Sequence, residues 1–228
     1  MRILHLYPNL MNLYGDYGNI KVLVSHLEDL RIVATVDRCE LGDAFNAADY
    51  DLIYMGPGTE RRQLAALDDL SRYTDDIREY LESDKVLLFT GNAMELLGKS
   101  INDKKALDIL DFKTNVTEKR YTGDVIMDND ELGKVVGFIN RSSLIEGGED
   151  CRLFTYDFKD NDLVDNDYEG FRYHNGFGTH IIGPVLVKNP SFMDLILKLL
   201  AKDKYKKIHY QFEDDAYRIT LEELEKRK

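Results

Sequence analysis

The chain has 228 residues, with 30 Lys+Arg against 42 Asp+Glu, a net charge of −12, two cysteines and no tryptophan. Its 43% hydrophobic and 32% charged residues are enough to fill a real core and exclude wholesale disorder. The acidic balance excludes an electrostatic grip on nucleic acid, and two cysteines are too few for a disulfide framework or a thiolate metal site.

In chain order, short apolar runs alternate with longer amphipathic ones. Residues 2–6 (RILHL) predict a buried first strand, reached without a signal-peptide pattern. No apolar run approaches the roughly 18 residues of a membrane span, so a cytoplasmic protein is expected. Residues 19–30 follow, with Ile20, Leu23, Leu27 and Leu30 on one helical face. The β-branched run 31–36 predicts a second strand, and residues 51–55 a third, closed by Gly56-Pro57-Gly58. A long helix is expected over 61–83, a fourth strand over 85–90 closed by Gly91, and a further helix starting at 93–97. Strands separated by such helices indicate βαβ units and a mostly parallel sheet, with ligands at the carboxyl ends of its strands. Those ends are residues 7–19, 56–60 and 90–94, all glycine-bearing loops.

Beyond residue 102 the pattern is more β-rich. Strands are expected over 120–127, 134–140, 152–156 and 184–187, with an acidic stretch over 157–169. A helix capped by Ser191 and a terminal helix opened by Thr220 and Glu223 complete the chain. No repeat, linker or low-complexity tract interrupts it. The expectation is therefore a single three-layer α/β domain over 1–228, with 201–228 as a C-terminal extension ending in a helix.

Candidate chemistry is sparse. Asp165, Asp167, Glu169 and Gly170 match part of a calcium loop, but its twelfth position is Gly176 instead of a bidentate Glu, so the stretch reads as a solvated acidic loop. Gly56-Pro57-Gly58-Thr59 lacks the Gly-Lys-Ser/Thr ending of a phosphate loop. Residues 85–98 have the strand-turn-helix form of a nucleophile elbow, where a sharp turn presents a reactive side chain to backbone N–H groups. No Cys or Ser stands at its apex.

Several segments taken together resemble a known family. These are Met11 through Ile20 (MNLYGDYGNI), 51–58, Leu107 through Asp111, Gly137 through Asn140, Glu169 through Asn175, Gly178-Thr179, Gly183-Pro184 and Lys188-Asn189-Pro190. They are similar, in the same order over about residues 2–200, to the class I glutamine amidotransferase domains of the cobyric acid synthase type. The resemblance extends in particular to the glutaminase subunits of lipid II isoglutaminyl synthases. It implies a flavodoxin-like fold, no cofactor and no metal. It also implies a Mur-ligase-like synthetase as partner in peptidoglycan stem-peptide amidation, and glutamine or a related small molecule as ligand. The family elbow reads Cys-Gly-Gly-Tyr-Gln-Leu-Leu-Gly. Aligned through Leu96-Leu97-Gly98, its cysteine falls on Gly91 and its glutamine on Glu95, while the family histidine falls on Ile182. The catalytic pair is thus absent, and the implied reading is a pseudoenzyme with a vestigial pocket of Gly56, Pro57, Gly58, Asn92, Glu95, Asn140, Arg141 and His180. Two alternatives stay open: an active hydrolase using relocated residues such as Thr90, Cys39 or Cys151, and a small-molecule binding module on the same fold. His174 and His180 read as polar residues in or near loops, with His180 able to share the face of Ile182.

Overall fold

The computed structural model describes residues 1–163 and 166–228. In chain order the elements are β1 (Arg2–Leu6), α1 (Gly18–Asp29), β2 (Thr35–Cys39), β3 (Leu52–Met55), α2 (Glu60–Leu70), α3 (Thr74–Glu82) and β4 (Val86–Thr90). A 3-10 segment, Gly91–Leu97, leads to β5 (Ser100–Ile101), β6 (Lys104–Lys105), β7 (Phe112–Asn129), β8 (Gly133–Gly147) and β9 (Arg152–Lys159). Then come β10 (Tyr168–Tyr173), β11 (Gly176–Thr179), β12 (Ile181–Ile182), α4 (Val185–Lys188), α5 (Pro190–Ala201) and α6 (Gln211–Glu225).

One mixed sheet runs β12-β8-β7-β9-β10-β11-β4-β3-β1-β2. The half from β2 to β11 is parallel, and the half from β11 to β12 is antiparallel. Alternation along the parallel strands sorts side chains into two cores. Ile3, Leu52, Tyr54, Val86 and Leu88 pack with α1 and α5, whereas Leu4, Leu6, Ile53, Met55, Leu87 and Phe89 pack with α2 and α3. The result is three α/β layers. α6 lies on the antiparallel half, where Tyr217, Leu221 and Leu224 cover Ile126, Val136 and Phe158. Among the described residues no helix is long and apolar enough to cross a membrane.

Several local expectations are corrected. The run 31–36 is not a strand at its start. Arg31 takes φ 60°, and the amides of Arg31 and Ile32 close α1 by bonding Glu28 O and Leu27 O. This is a Schellman cap, and it pushes β2 to Thr35. The helix expected over 61–83 breaks in two, where Ser71 and Thr74 turn their hydroxyls onto the carbonyls of Asp68 and Ser71. Residues 91–97 form a 3-10 segment, and no helix continues beyond it, because the carbonyls of Leu96 and Leu97 accept the amides of Leu107, Ile109 and Leu110.

Residues 185–188 form the short helix α4 instead of a strand. Asn189, not Ser191, precedes α5, with Pro190 at its first turn. The Asn189 amide also pairs with the backbone of Val136 in both directions, tying α5 to β8. Thr220 lies inside α6, its hydroxyl bonded to Ala216 O, so the terminal helix opens ten residues earlier than its capping pattern suggests. In the acidic stretch, Asp165 lies outside the described residues, while Glu169 is 2% exposed and is not solvated.

Candidate functional site

The carboxyl ends of β1, β3, β4 and β11 converge on one edge of the parallel half, and the elbow stands there. Thr90 ends β4 and Gly91 turns at φ +56°, the left-handed backbone that a nucleophile elbow requires. A Cβ built on Gly91 would lie 2.5 Å from Pro57 Cβ and 3.4 Å from Ile182 Cγ2. Gly91 and Ile182, at which the sequence resemblance leads one to expect a reactive pair, therefore face each other across the turn. Neither has a reactive atom, and a glycine-shaped gap is all that separates them.

Around them lies a cavity of about 100 Å³, lined among others by Pro57, Gly58, Gly91, Asn92, Glu95 and Ile182. Pockets that enclose drug-sized ligands span about 300–1,000 Å³, so this one is small. Its mouth is crossed by polar contacts. β7 and β8 slip register between Val116 and Tyr121, and this bulge brings Arg120 over the opening. Arg120 donates to Glu60 Oε1 at 3.3 Å and to Asn140 Oδ1 at 2.7 Å. Asn140 Nδ2 donates to Tyr14 OH at 3.3 Å, and the Ser142 hydroxyl donates to Glu60 at 2.8 Å.

The loop after β3 is held by the residue that follows Gly91. Gly58 N–H donates to Asn92 Oδ1 at 2.9 Å, and Asn92 Nδ2 returns a bond to Gly58 O at 3.0 Å. The Gly58 amide, which in this kind of site could stabilise an oxyanion, is consumed by a side chain.

Beneath the cavity floor lies a buried charge cluster. Glu95 accepts hydrogen bonds from Gln63 Nε2 at 2.6 Å and from the Ser143 hydroxyl. His180 Nε2 stands 3.1 Å from the same carboxylate. On its other side, His180 Nδ1 is 2.8 Å from Glu169 Oε1 and 3.0 Å from Arg141 Nη1. Glu169 also accepts from Thr179 Oγ1 and from the His180 backbone amide, each at 2.7 Å. Burial pushes both carboxyl groups up, but the hydrogen bonds and charge of His180 outweigh it and hold both below the usual carboxylate range. His180 lies in the one-residue link between β11 and β12, yet it is 1% exposed and its ring is held within this cluster.

A second buried cluster braces the elbow from behind. Asp16 accepts from Tyr54 OH at 2.6 Å, from Asn19 Nδ2 at 3.2 Å and from the Thr90 hydroxyl. Burial raises the Asp16 pKa despite these bonds. Thr90 thus has a carboxylate acceptor beside it. The pair is nevertheless fully buried, on the side of β4 opposite the cavity.

The remaining candidates are dispersed. Of the residues expected to form the pocket, Pro57, Gly58, Asn92, Glu95, Asn140 and Arg141 line the cavity, whereas Gly56 and His180 do not. Cys39 is buried at the end of β2, and burial lifts its thiol to about 11. Cys151 sits beside Gly148, its thiol also raised by burial. Neither cysteine reaches the cavity. Among the described residues, no group of three His, Cys, Asp or Glu side chains is arranged to hold a metal. Residues that sequence reasoning missed include Asp16, Gln63, Ser143 and Glu60. Asp16 lay within the 11–20 motif, but the others carry no local signal.

Comparison with known proteins identifies the family. Residues 2–190 match the CobB/CobQ-like glutamine amidotransferase domain. The chain is 31% identical to the lipid II isoglutaminyl synthase (glutamine-hydrolyzing) subunit GatD of Streptococcus pneumoniae, over 90% of this chain and 82% of that one. It is 28% identical to the Staphylococcus aureus subunit of the same name, over 100% and 98%. Among solved structures, a glutamine amidotransferase of Thermotoga maritima aligns with a TM-score of 0.50 at 13% identity, covering 99% of this chain and 90% of that one. The acivicin-bound glutaminase domain of Trypanosoma brucei CTPS aligns with a TM-score of 0.55 at 12% identity, covering 92% and 97%. These two likenesses concern the fold. With the family domain spanning most of its length, the chain belongs to the CobB/CobQ-like glutamine amidotransferases.

Proposed function

We propose that this chain is a glutaminase-like subunit of a lipid II isoglutaminyl synthase-type complex in which the hydrolytic step has been lost. In this reading it serves as a structural or regulatory partner of a Mur-ligase-like synthetase that amidates the peptidoglycan stem peptide, using free ammonia. The observation that carries the proposal is the confrontation of Gly91 with Ile182. Glutamine hydrolysis by this fold needs a thiolate to attack the side-chain amide and an imidazole to protonate the departing ammonia. Gly91 supplies no attacking atom, and Ile182 carries no proton.

The substitutes are poorly placed. Thr90 is committed to Asp16 inside a closed cluster, and both cysteines lie outside the cavity with thiols pushed up by burial. The Gly58 amide is taken by Asn92.

The test is direct. The purified protein should release no ammonia from glutamine and should not be labelled by acivicin. Turnover abolished by changing Thr90, Cys39 or Cys151 would overturn the proposal. Purification from the native host should co-isolate a Mur-ligase-like protein, and its consistent absence would count against the subunit role.

A further inference from the structure

α6 has two apolar faces. Tyr217, Leu221 and Leu224 cover the sheet. On the opposite side Phe212, Ala216 and Ile219 recur at i, i+4 and i+7, the spacing of one helical stripe, and all three are exposed. Phe212 is 91% exposed and Ile219 52%. The chain has ten phenylalanines, and the other nine are buried or half-buried. One exposed apolar side chain is ordinary, but a phenylalanine and an isoleucine aligned on the outer face of an already packed helix mark a contact surface. We propose that two copies of this chain meet here, α6 packing antiparallel on α6 of the second copy about a two-fold axis at Ala216.

The stripe is self-complementary under that operation. Phe212 lies four residues before Ala216 and Ile219 three after it. An antiparallel pair therefore brings Phe212 of each copy to within one residue's rise, about 1.5 Å, of level with Ile219 of the other. Ala216 occupies the crossing point, and its small side chain lets the two helices approach closely.

The charges beside the stripe match themselves as well. Asp215 and Arg218 flank it on one side, 3.5 Å apart within the helix. Across the two-fold each Asp215 comes level, again within about 1.5 Å along the axis, with Arg218 of the second copy. The four groups then alternate in sign around the axis. Gln211 and Glu222 of the two copies come level in the same way, as donor and acceptor. Glu223 and Lys226 pair with each other past the end of the stripe, and Arg227 is drawn back to Asp124 and Asp160 of its own sheet. An unrelated partner would use only the apolar residues. The symmetric placement of apolar, small and charged side chains about one point suits a second copy.

The contact is small. Four turns of helix fall at the low end of specific interfaces, below the roughly 1,200 Å² of a stable dimer, so the pair forms and separates with concentration.

Sedimentation velocity of the intact protein over a concentration series tests this. The wild type should pass from monomer towards dimer as its concentration rises from low micromolar to millimolar. Phe212→Glu/Ile219→Glu should raise the dimer dissociation constant at least about tenfold. Its urea unfolding should match wild type, because neither side chain belongs to a core. Arg218→Asp, which sets acid against acid across the axis, should also weaken the dimer. Asp215→Arg/Arg218→Asp, which exchanges the two charges, should restore it. A wild type that stays monomeric to millimolar concentration would overturn the proposal, as would a dimer indifferent to Phe212→Glu/Ile219→Glu. An Arg218→Asp dimer as tight as wild type, or one that the charge exchange fails to rescue, would equally rule out the antiparallel pairing. If the wild type is monomeric and Phe212→Glu/Ile219→Glu loses a co-isolated synthetase, the face belongs to that partner and not to a second copy. No residue of this face lines the Gly91 cavity, so none of these results bears on the loss of hydrolysis.

Discussion

His180 and Glu95 meet in the interior with Nε2 3.1 Å from Oε1, the two side chains being 1% and 2% exposed. Glu95 is thus a carboxylate at full burial, tolerated because it is answered on every side. Gln63 and Ser143 donate to Glu95, and His180 links it to Glu169. Glu95 is a structural tie joining the elbow, α2, β8 and the end of β11.

That tie should be measurable. Glu95→Ala removes the carboxylate that Gln63 Nε2, the Ser143 hydroxyl and His180 Nε2 share. Breaking a buried, hydrogen-bonded charge pair by deleting one partner costs about 3–5 kcal/mol. Glu95→Gln keeps the shape and one acceptor but turns a donor toward other donors, so about 1–3 kcal/mol is expected. Urea unfolding of the three proteins checks the order. A loss below about 1 kcal/mol for Glu95→Ala would show that the cluster contributes little.

Acid should act in two separable windows. The folded-state pKa of His5 is about 4, below its ordinary 6.5. As pH falls through that interval the unfolded chain takes up a proton that the folded chain refuses, so stability falls. The gap corresponds to roughly 3 kcal/mol, complete once the pH reaches about 4. Glu95 and Glu169 act lower. Their folded pKa values lie below the ordinary 4.5, so their stabilisation is present above 4.5 and is lost as pH falls through the folded values. Stability of His5→Gln against pH should be flatter than wild type between 6.5 and about 4 and parallel to it below. Equal slopes in the upper window would contradict the assignment.

What the sequence displayed and what it hid follow from the range of the interactions. Gly91 was legible because an elbow is local: a strand, a turn and Leu96-Leu97-Gly98 set its place within a few residues. The parallel strands were legible through their apolar runs, which alternate between two cores. Glu169 was not. It sits in an acidic stretch that reads as solvated, and its burial depends on His180 and Thr179 arriving on the neighbouring segments. Glu95 needs partners from positions 63, 143 and 180, which no local window contains. The helix breaks failed for the opposite reason. Hydroxyl-to-carbonyl bonds at Ser71 and Thr74 are local, but they compete with a strong apolar period that dominates the reading.

The elbow itself should resist restoration of its thiol. A side chain at position 91 must accept φ +56° and a Cβ 2.5 Å from Pro57 Cβ. The backbone strain alone is of order 1–3 kcal/mol for a residue other than glycine. Gly91→Cys should therefore lower unfolding stability by at least about 1–3 kcal/mol. Pro57→Gly removes the contacting atom, so in a Gly91→Cys/Pro57→Gly protein the two losses should sum to less than they do separately. Residues in direct contact couple by about 0.5–3 kcal/mol, which a double-mutant cycle in urea resolves. If Gly91→Cys is neutral, or if the cycle shows no coupling, the turn is not shaped around glycine. In that case the absence of the thiol is a simple deletion in an elbow still fit to carry one. If the coupling is found, the loss of the nucleophile has been followed by closure of its space, and Ile182→His alone cannot recover the reaction.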